Sequence, residues 1–217
     1  MTFLEAINAV LRRLREDEVV STNSTDYSKL IGDFVNQAVY ECEHAWDWNK
    51  LRETITITTA SGDDTYDFHT ADTKIILAIN ETRDWIMRVI PAQYQHRLEY
   101  LNTPIMTSPY YYSFQGKNGD YSQIRVYPEP TAVDSLRFLV VKHTPAYALD
   151  GSDDSEELTI PDLPIILNAY SKAVSERGED GGIGFNEADA AYRTALADAI
   201  GLDSSLNHLE EVTWCVQ

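Results

Sequence analysis

Between Asn23 and Lys50 the apolar positions follow a helical period. Tyr27, Leu30, Ile31, Phe34, Ala38, Cys42 and Ala45 recur at spacings of three and four, which stacks them on one face at 3.6 residues per turn. Val35, Val39 and Trp46 form a second row that widens this face. So broad a stripe must be covered from more than one side, which places the helix at the centre of a helical layer. Asn23, Ser24, Thr25 and Asp26 supply N-caps, because a short side-chain oxygen accepts from the first unpaired N–H groups of a helix. Upstream, Phe3, Leu4, Ile7, Val10, Leu11 and Leu14 predict a first helix ending near Asp17. Glu5 stands at its start and Arg12, Arg13 and Arg15 near its end, as the helix dipole favours. The short polar link from Val19 to Thr25 makes the two helices neighbours in a hairpin.

After Trp48 and Leu51 the period changes from helical to alternating. Thr54, Ile55, Thr56, Ile57 and Thr58 alternate as a strand does, and Ser61, Gly62, Asp63 and Asp64 supply turn chemistry before Tyr66, Asp67 and Phe68, which predicts a hairpin. Ile75–Ile79 and Trp85–Val89 flank the polar turn Glu81, Thr82, Arg83, Asp84, a second hairpin. Pro91 to Leu101 reads as a short helix, since proline suits the first helical position and Pro104 follows its end. Tyr110–Phe114 and Gln123–Tyr127 form a third hairpin about Gly116 to Asp120, and Leu136–His143 is a last strand. Helical periodicity returns at Leu163, Ile166, Leu167, Tyr170, Ala173 and Val174, with Asp162 as its cap, until Gly178, Gly181, Gly182 and Gly184 break it. An alanine-rich helix follows over Ala188–Ile200.

The helices come from both ends of the chain and the strands from its middle. This pattern predicts an α+β fold: a bundle of about four helices, residues 1–50 and 158–201, with an inserted antiparallel, β-sandwich-like subdomain at 51–157. An extended tail, 202–217, is left over. Its apolar residues Leu209, Val212, Trp214 and Val216 need a surface to cover them.

Composition narrows the function. The 217 residues suffice for one substantial domain with an inserted subdomain, and 43% hydrophobic with 24% charged residues is ordinary for a globular protein. No apolar run approaches the ~20 residues that span a bilayer, and no secretory leader is expected at the N-terminus. Cys42 and Cys215 stand far apart, which argues against a disulfide scaffold and a thiolate zinc site. The charge balance is the unusual total: 35 Asp and Glu against 17 Lys and Arg, a formal net charge of −18. Gripping nucleic acid needs clustered cations to displace phosphate counterions, so this chain is not built for tight DNA binding. Its acidity serves solubility, or a surface past which DNA moves without adhering.

Candidate chemistry is sparse. The acidic loop Asp150, Asp153, Asp154, Glu156, Glu157 offers oxygen ligands, but Gly151 sits too early and the spacing departs from a calcium loop. The glycines from Gly178 to Gly184 lack the Lys-Ser/Thr ending of a phosphate loop and follow a helix rather than a strand. His44, His69, His96, His143 and His208 are scattered, and Cys42 and His44 point away from each other on one helix. No nucleophile elbow or zinc-protease helix occurs, and no carboxylate pair stands out for acid–base work. The sequence therefore assigns no catalytic, cofactor-binding or metal-binding residue. Tyr110, Tyr111 and Tyr112 with Trp85 could stack on a ligand, but without accompanying cations they read as sheet packing or a protein interface.

The order of signals carries more than any motif. Paired helices end in Trp46-Asp47-Trp48-Asn49-Lys50-Leu51; a threonine-rich strand and Gly62-Asp63-Asp64-Thr65-Tyr66-Asp67-Phe68 follow. Then come Pro91 with Tyr94, Val126-Tyr127-Pro128-Glu129-Pro130, Thr144-Pro145, and Ile160-Pro161-Asp162-Leu163-Pro164 before a helix containing Tyr170, Ala173, Glu176, Arg177 and Gly178. This layout resembles the head-to-tail adaptor proteins of short-tailed bacteriophages, also called connector, tail tubular or gatekeeper proteins.

The resemblance covers nearly the whole chain. It implies a non-enzymatic structural protein of the virion, assembled in the host bacterial cytoplasm as a twelve-subunit ring beneath the portal protein. Other surfaces would receive the tail nozzle and tail fibres or spikes, and DNA would pass through the ring without sequence-specific binding. By position, Leu209, Val212, Trp214 and Val216 match the segment that docks on the portal. Three rivals remain: another virion component such as a head-completion or tail-terminator protein, an enzyme built on a carboxylate pair, and a carbohydrate-binding module with an exposed aromatic platform.

Overall fold

The computed structural model describes residues 1–217 except 71–72, 102–104, 120, 146–147, 179–183 and 207–217, and the side chains of 69 and 70. The chain forms two compact units, Met1–Leu51 with Thr144–Gln217, and Arg52–His143.

The first unit is helical. Helix α1 spans Phe3–Arg13 and opens with a reciprocal cap: Glu5 N–H donates to Thr2 Oγ1 at 3.2 Å while Thr2 N–H donates to Glu5 Oε2 at 2.9 Å. The helix stops four residues before the expected Asp17, because Leu14 caps it and Arg15 turns left-handed, with φ 61°. Helix α2 spans Asp26–His44, and of the four candidate caps Thr25 is the one used, in a reciprocal pair with Ser28. Helix α4, Asp162–Arg177, packs on α1, on α2 and on helix α5, Phe185–Leu206. The N-cap of α4 is Pro161; Asp162 is its first helical residue, with its carboxylate 3.6 Å from the Met1 amine. Gly178, at φ 61°, supplies the left-handed turn that ends α4. Helix α5 runs past Ile200, the end the sequence suggests, because Gly201 lowers helix propensity without breaking the hydrogen-bond ladder.

Polar residues on the buried side of α2 hold the returning chain. Thr144, Leu149 and Asp154 lie outside the named helices and strands, so their polar groups take partners from elsewhere in the unit. Glu43, almost fully buried, accepts from Thr144 N–H at 2.6 Å and Thr144 Oγ1 at 3.0 Å. Two turns earlier Asn36 clamps Leu149, donating to its carbonyl at 2.7 Å and accepting from its N–H at 3.2 Å. Thr22, in a 3-10 turn, donates its N–H and hydroxyl to the Asp154 carboxylate. Gly32 lets these parts approach: a Cβ there would lie 3.0 Å from Thr22 Cγ2 and 3.6 Å from Ile7 Cδ1.

The second unit is a two-sheet sandwich. Its strands are β1 Arg52–Thr58, β2 Thr65–Thr70, β3 Thr73–Asn80, β4 Trp85–Ile86, β5 Arg88–Val89, β6 Tyr111–Asn118, β7 Tyr121–Tyr127 and β8 Ser135–Lys142. One sheet has the order β1-β8-β3-β4 and is antiparallel throughout; the other has the order β2-β7-β6-β5. Two expectations are corrected. β1 and β2 do not form a hairpin, because the turn at Ser61–Asp64 carries the chain from one sheet to the other. The second sheet is mixed, since β5 runs parallel to β6. Leu136, Phe138 and Val140 face Phe68, Tyr112, Ile124 and Val126 across the core. Helix α3, Ala92–Leu101, packs on β6 through Gln95, which accepts from Ser113 Oγ at 2.5 Å and donates to the Val126 carbonyl at 3.3 Å.

Candidate functional site

The interface residues picked out by position, Leu209, Val212, Trp214 and Val216, lie outside the described residues, as does Cys215. The structure does describe the base from which that segment departs. Asp203, in the last turns of α5, is tied to the tryptophan corner: Trp46 Nε1 donates to its Oδ2 at 3.0 Å, Asn49 N–H to the same oxygen at 3.3 Å, and Asn49 Nδ2 to its carbonyl at 3.1 Å. Trp48, 2% exposed, anchors the corner from beneath by donating Nε1 to the Cys42 carbonyl at 2.8 Å. On the same final turns Leu202 and Leu206 are 73% and 77% exposed, an apolar pair one helical turn apart. A fixed base with exposed apolar residues suits a protein contact. Replacing Asp203 with Ala removes the acceptor of two N–H groups and is expected to lower stability by about 1–2 kcal/mol, read by urea titration.

Charge is divided unevenly. The helical unit carries 24 acids against 8 bases, a formal −16, whereas the β unit carries 11 against 9, a formal −2. Much of the acidity is committed structurally. Burial pushes the Glu41 carboxyl up, but bonds from Asn168 at 2.9 Å, Lys172 at 2.9 Å and Gln37 at 3.0 Å more than offset this and hold it below the ordinary carboxylate range. At Asp154 burial likewise pushes the carboxyl up, and bonds from Thr22 and Ser21 outweigh it and hold the group below the ordinary carboxylate range. Both groups titrate lower folded than unfolded, so their stabilisation is complete above the unfolded carboxylate range and is lost as pH falls through the folded one. Stability should therefore fall below about pH 4. Glu41→Gln should flatten that fall in thermal melts run from pH 7 to pH 3; an unchanged slope would contradict this assignment.

The acidic loop is a tie rather than an open ligand shell. Asp150 Oδ1 accepts from Ser152 N–H at 2.6 Å, Asp153 Oδ2 accepts from Asp150 N–H at 3.0 Å, and the backbone of Phe3 donates to the Glu156 carbonyl at 2.9 Å. Among the described residues no three His, Cys, Asp or Glu side chains converge on a point that could hold a metal ion. No described helix is long and apolar enough to cross a membrane. Burial drives the Cys42 thiol up to about 12, which leaves it protonated and inert as a nucleophile at neutral pH.

Of the aromatic residues singled out in the sequence, Tyr110, Tyr112 and Trp85 pack within the β unit. Tyr112 lies edge-on to Phe138 at 5.7 Å, Tyr110 to Trp85 at 6.5 Å, and Trp85 Nε1 donates to the Pro109 carbonyl at 3.0 Å. Sequence reasoning missed a pocket of about 160 Å³ lined by Asp64, Glu99, Tyr100, Arg125, Tyr127 and Glu129. Its carboxylates Asp64 and Glu99 are bound to Arg125 at 2.5 and 3.1 Å, so neither is placed as a free acid or base. These residues are scattered from Asp64 to Glu129 and lack a motif; β7 and α3 bring them together.

The SU10 adaptor protein family matches the chain over residues 1–210. No match is found among curated proteins. A match of that extent takes in both units, and the chain belongs to the SU10 adaptor protein family, in agreement with the resemblance to phage head-to-tail adaptors that its sequence carries.

Proposed function

We propose that this chain is a structural, non-enzymatic virion protein that forms a ring beneath the portal, joins the capsid to the tail and extends the DNA channel for genome retention and ejection. Membership of the adaptor family over residues 1–210 carries the reading. The bundle formed by the two chain ends, and the β unit inserted between them, are two separate bodies from which a connector can present different surfaces to head and tail. Residues 209–217, with Leu209, Val212, Trp214 and Val216, dock on the portal, and the tail nozzle and fibres or spikes occupy other faces. The formal −16 of the helical unit suits a wall that DNA passes without adhering.

The docking assignment is tested by deleting 209–217 and sedimenting the protein with the portal encoded in the same genome. The account predicts that the intact chain co-sediments and the truncated chain stays behind with an unchanged melting temperature. Equal retention of both would remove the docking role of this segment.

A further inference from the structure

Each sheet of the β unit ends in two outer strands, and three of the four are closed to further pairing. β4 and β5 are two residues long, and β2 carries a bulge where its register with β7 shifts between Asp67 and His69. Short strands and bulges protect an edge whose N–H and C=O groups would otherwise recruit another chain. β1 has neither device. It pairs with β8 over seven residues in unbroken register, from Arg52 with Val141 to Thr58 with Ser135. Its run Thr54-Ile55-Thr56-Ile57-Thr58 holds no proline and no charge, and its β-branched residues favour the extended chain. Glu53, Thr54, Thr56 and Thr58 are exposed, and among the described residues no backbone hydrogen bond joins residues 54–58 to anything but β8.

What an unpaired ladder accepts is fixed by its chemistry: another extended chain at strand spacing, hydrogen-bonded through its backbone. Ile55 and Ile57 pack against the sandwich core while the threonines face water. The incoming strand must therefore alternate, with apolar residues continuing the isoleucine side and small or polar residues the threonine side. A second copy offers no such strand. A ring joins two different surfaces of neighbouring copies. β1 and β2 lie at one edge of the sandwich and β4 and β5, joined through Met87, at the other, where two-residue strands cannot match a ladder of seven. In the reading above residues 209–217 serve the portal, which leaves the tail as the source of the strand.

We infer that the free edge of β1 docks an extended segment of the tail nozzle protein by strand addition, lengthening the four-stranded sheet β1-β8-β3-β4 by one strand. This rests on the adaptor reading proposed above and names the surface that receives the tail.

The test uses the full-length chain assembled on the portal of the same genome, mixed with the purified tail nozzle protein from that genome. Thr54→Lys, Thr56→Lys and Thr58→Lys combined place charge along the edge, as natural edge strands do, at three exposed positions that the core does not use. Nozzle binding should weaken by about tenfold or more, with portal binding and circular dichroism unchanged. In the wild-type complex the amides of residues 53–58 that point away from β8 should gain protection from exchange, a change that a side-chain contact alone does not produce. Undiminished binding by the triple variant, or a wild-type complex whose β1 amides exchange as before, would overturn strand addition while leaving the adaptor reading intact. A ring that assembles on the portal yet does not bind the nozzle would likewise overturn this inference alone. A chain that never binds the portal would overturn both.

Discussion

Phe138→Ala is expected to destabilise the β unit by about 3–5 kcal/mol, the usual cost of emptying a buried aromatic site. Phe138 is fully buried on β8, which pairs with both β1 and β3, so it has neighbours along its own sheet as well as across the sandwich. The Phe68 ring meets it edge-on at 5.1 Å and 73°, and Tyr112 at 5.7 Å and 88°. Such paired rings add attraction beyond the area they bury, and the rigid sheets on either side cannot collapse into the space left. Amide exchange in β3, β7 and β8 would report the loss, with protection there falling by two or more orders of magnitude. Protection that held would mean the core is not organised about this ring.

Trp48→Ala should cost the helical unit a similar amount, about 3–5 kcal/mol. Two effects add here. The indole is 2% exposed and its removal leaves a large cavity; its N–H also satisfies the Cys42 carbonyl at the end of α2, where helix carbonyls lack partners of their own. Trp48→Phe separates them: it keeps most of the volume, loses the donor, and should cost about 1–3 kcal/mol. Urea unfolding of the two variants reads both values, and equal losses would show that packing contributes little. Because Trp46 and Asn49 of the same corner hold Asp203, Trp48→Ala should also weaken portal binding, as the proposed docking role of residues 209–217 predicts for their deletion.

What the sequence revealed and what it hid have physical reasons. The period of α2 was legible because Ile31, Val35, Ala38, Val39 and Cys42 are apolar, buried in the fold and at helical spacing, and a Thr-Asp boundary marks its start. The β3–β4 and β6–β7 hairpins were legible because their turns are local. The pairing of β1 with β8 and β2 with β7 was not, since turn residues announce a reversal without naming the strand's partner. Asn36 and Glu43 carried no signal in the sequence, because the chain they hold returns more than a hundred residues later. The pocket at Arg125 was invisible for the same reason, its members being joined only by the fold. Leu209, Val212, Trp214 and Val216 stood out because apolar residues in a terminal segment imply a covering surface.

The central claim is that this chain joins portal to tail as a ring. Native mass of the purified protein, alone and mixed with the portal from the same genome, tests it most directly. The account predicts a complex holding twelve copies of the chain per portal ring, whether the free protein is a ring already or a monomer that the portal orders. A chain that remains monomeric in both samples would contradict it.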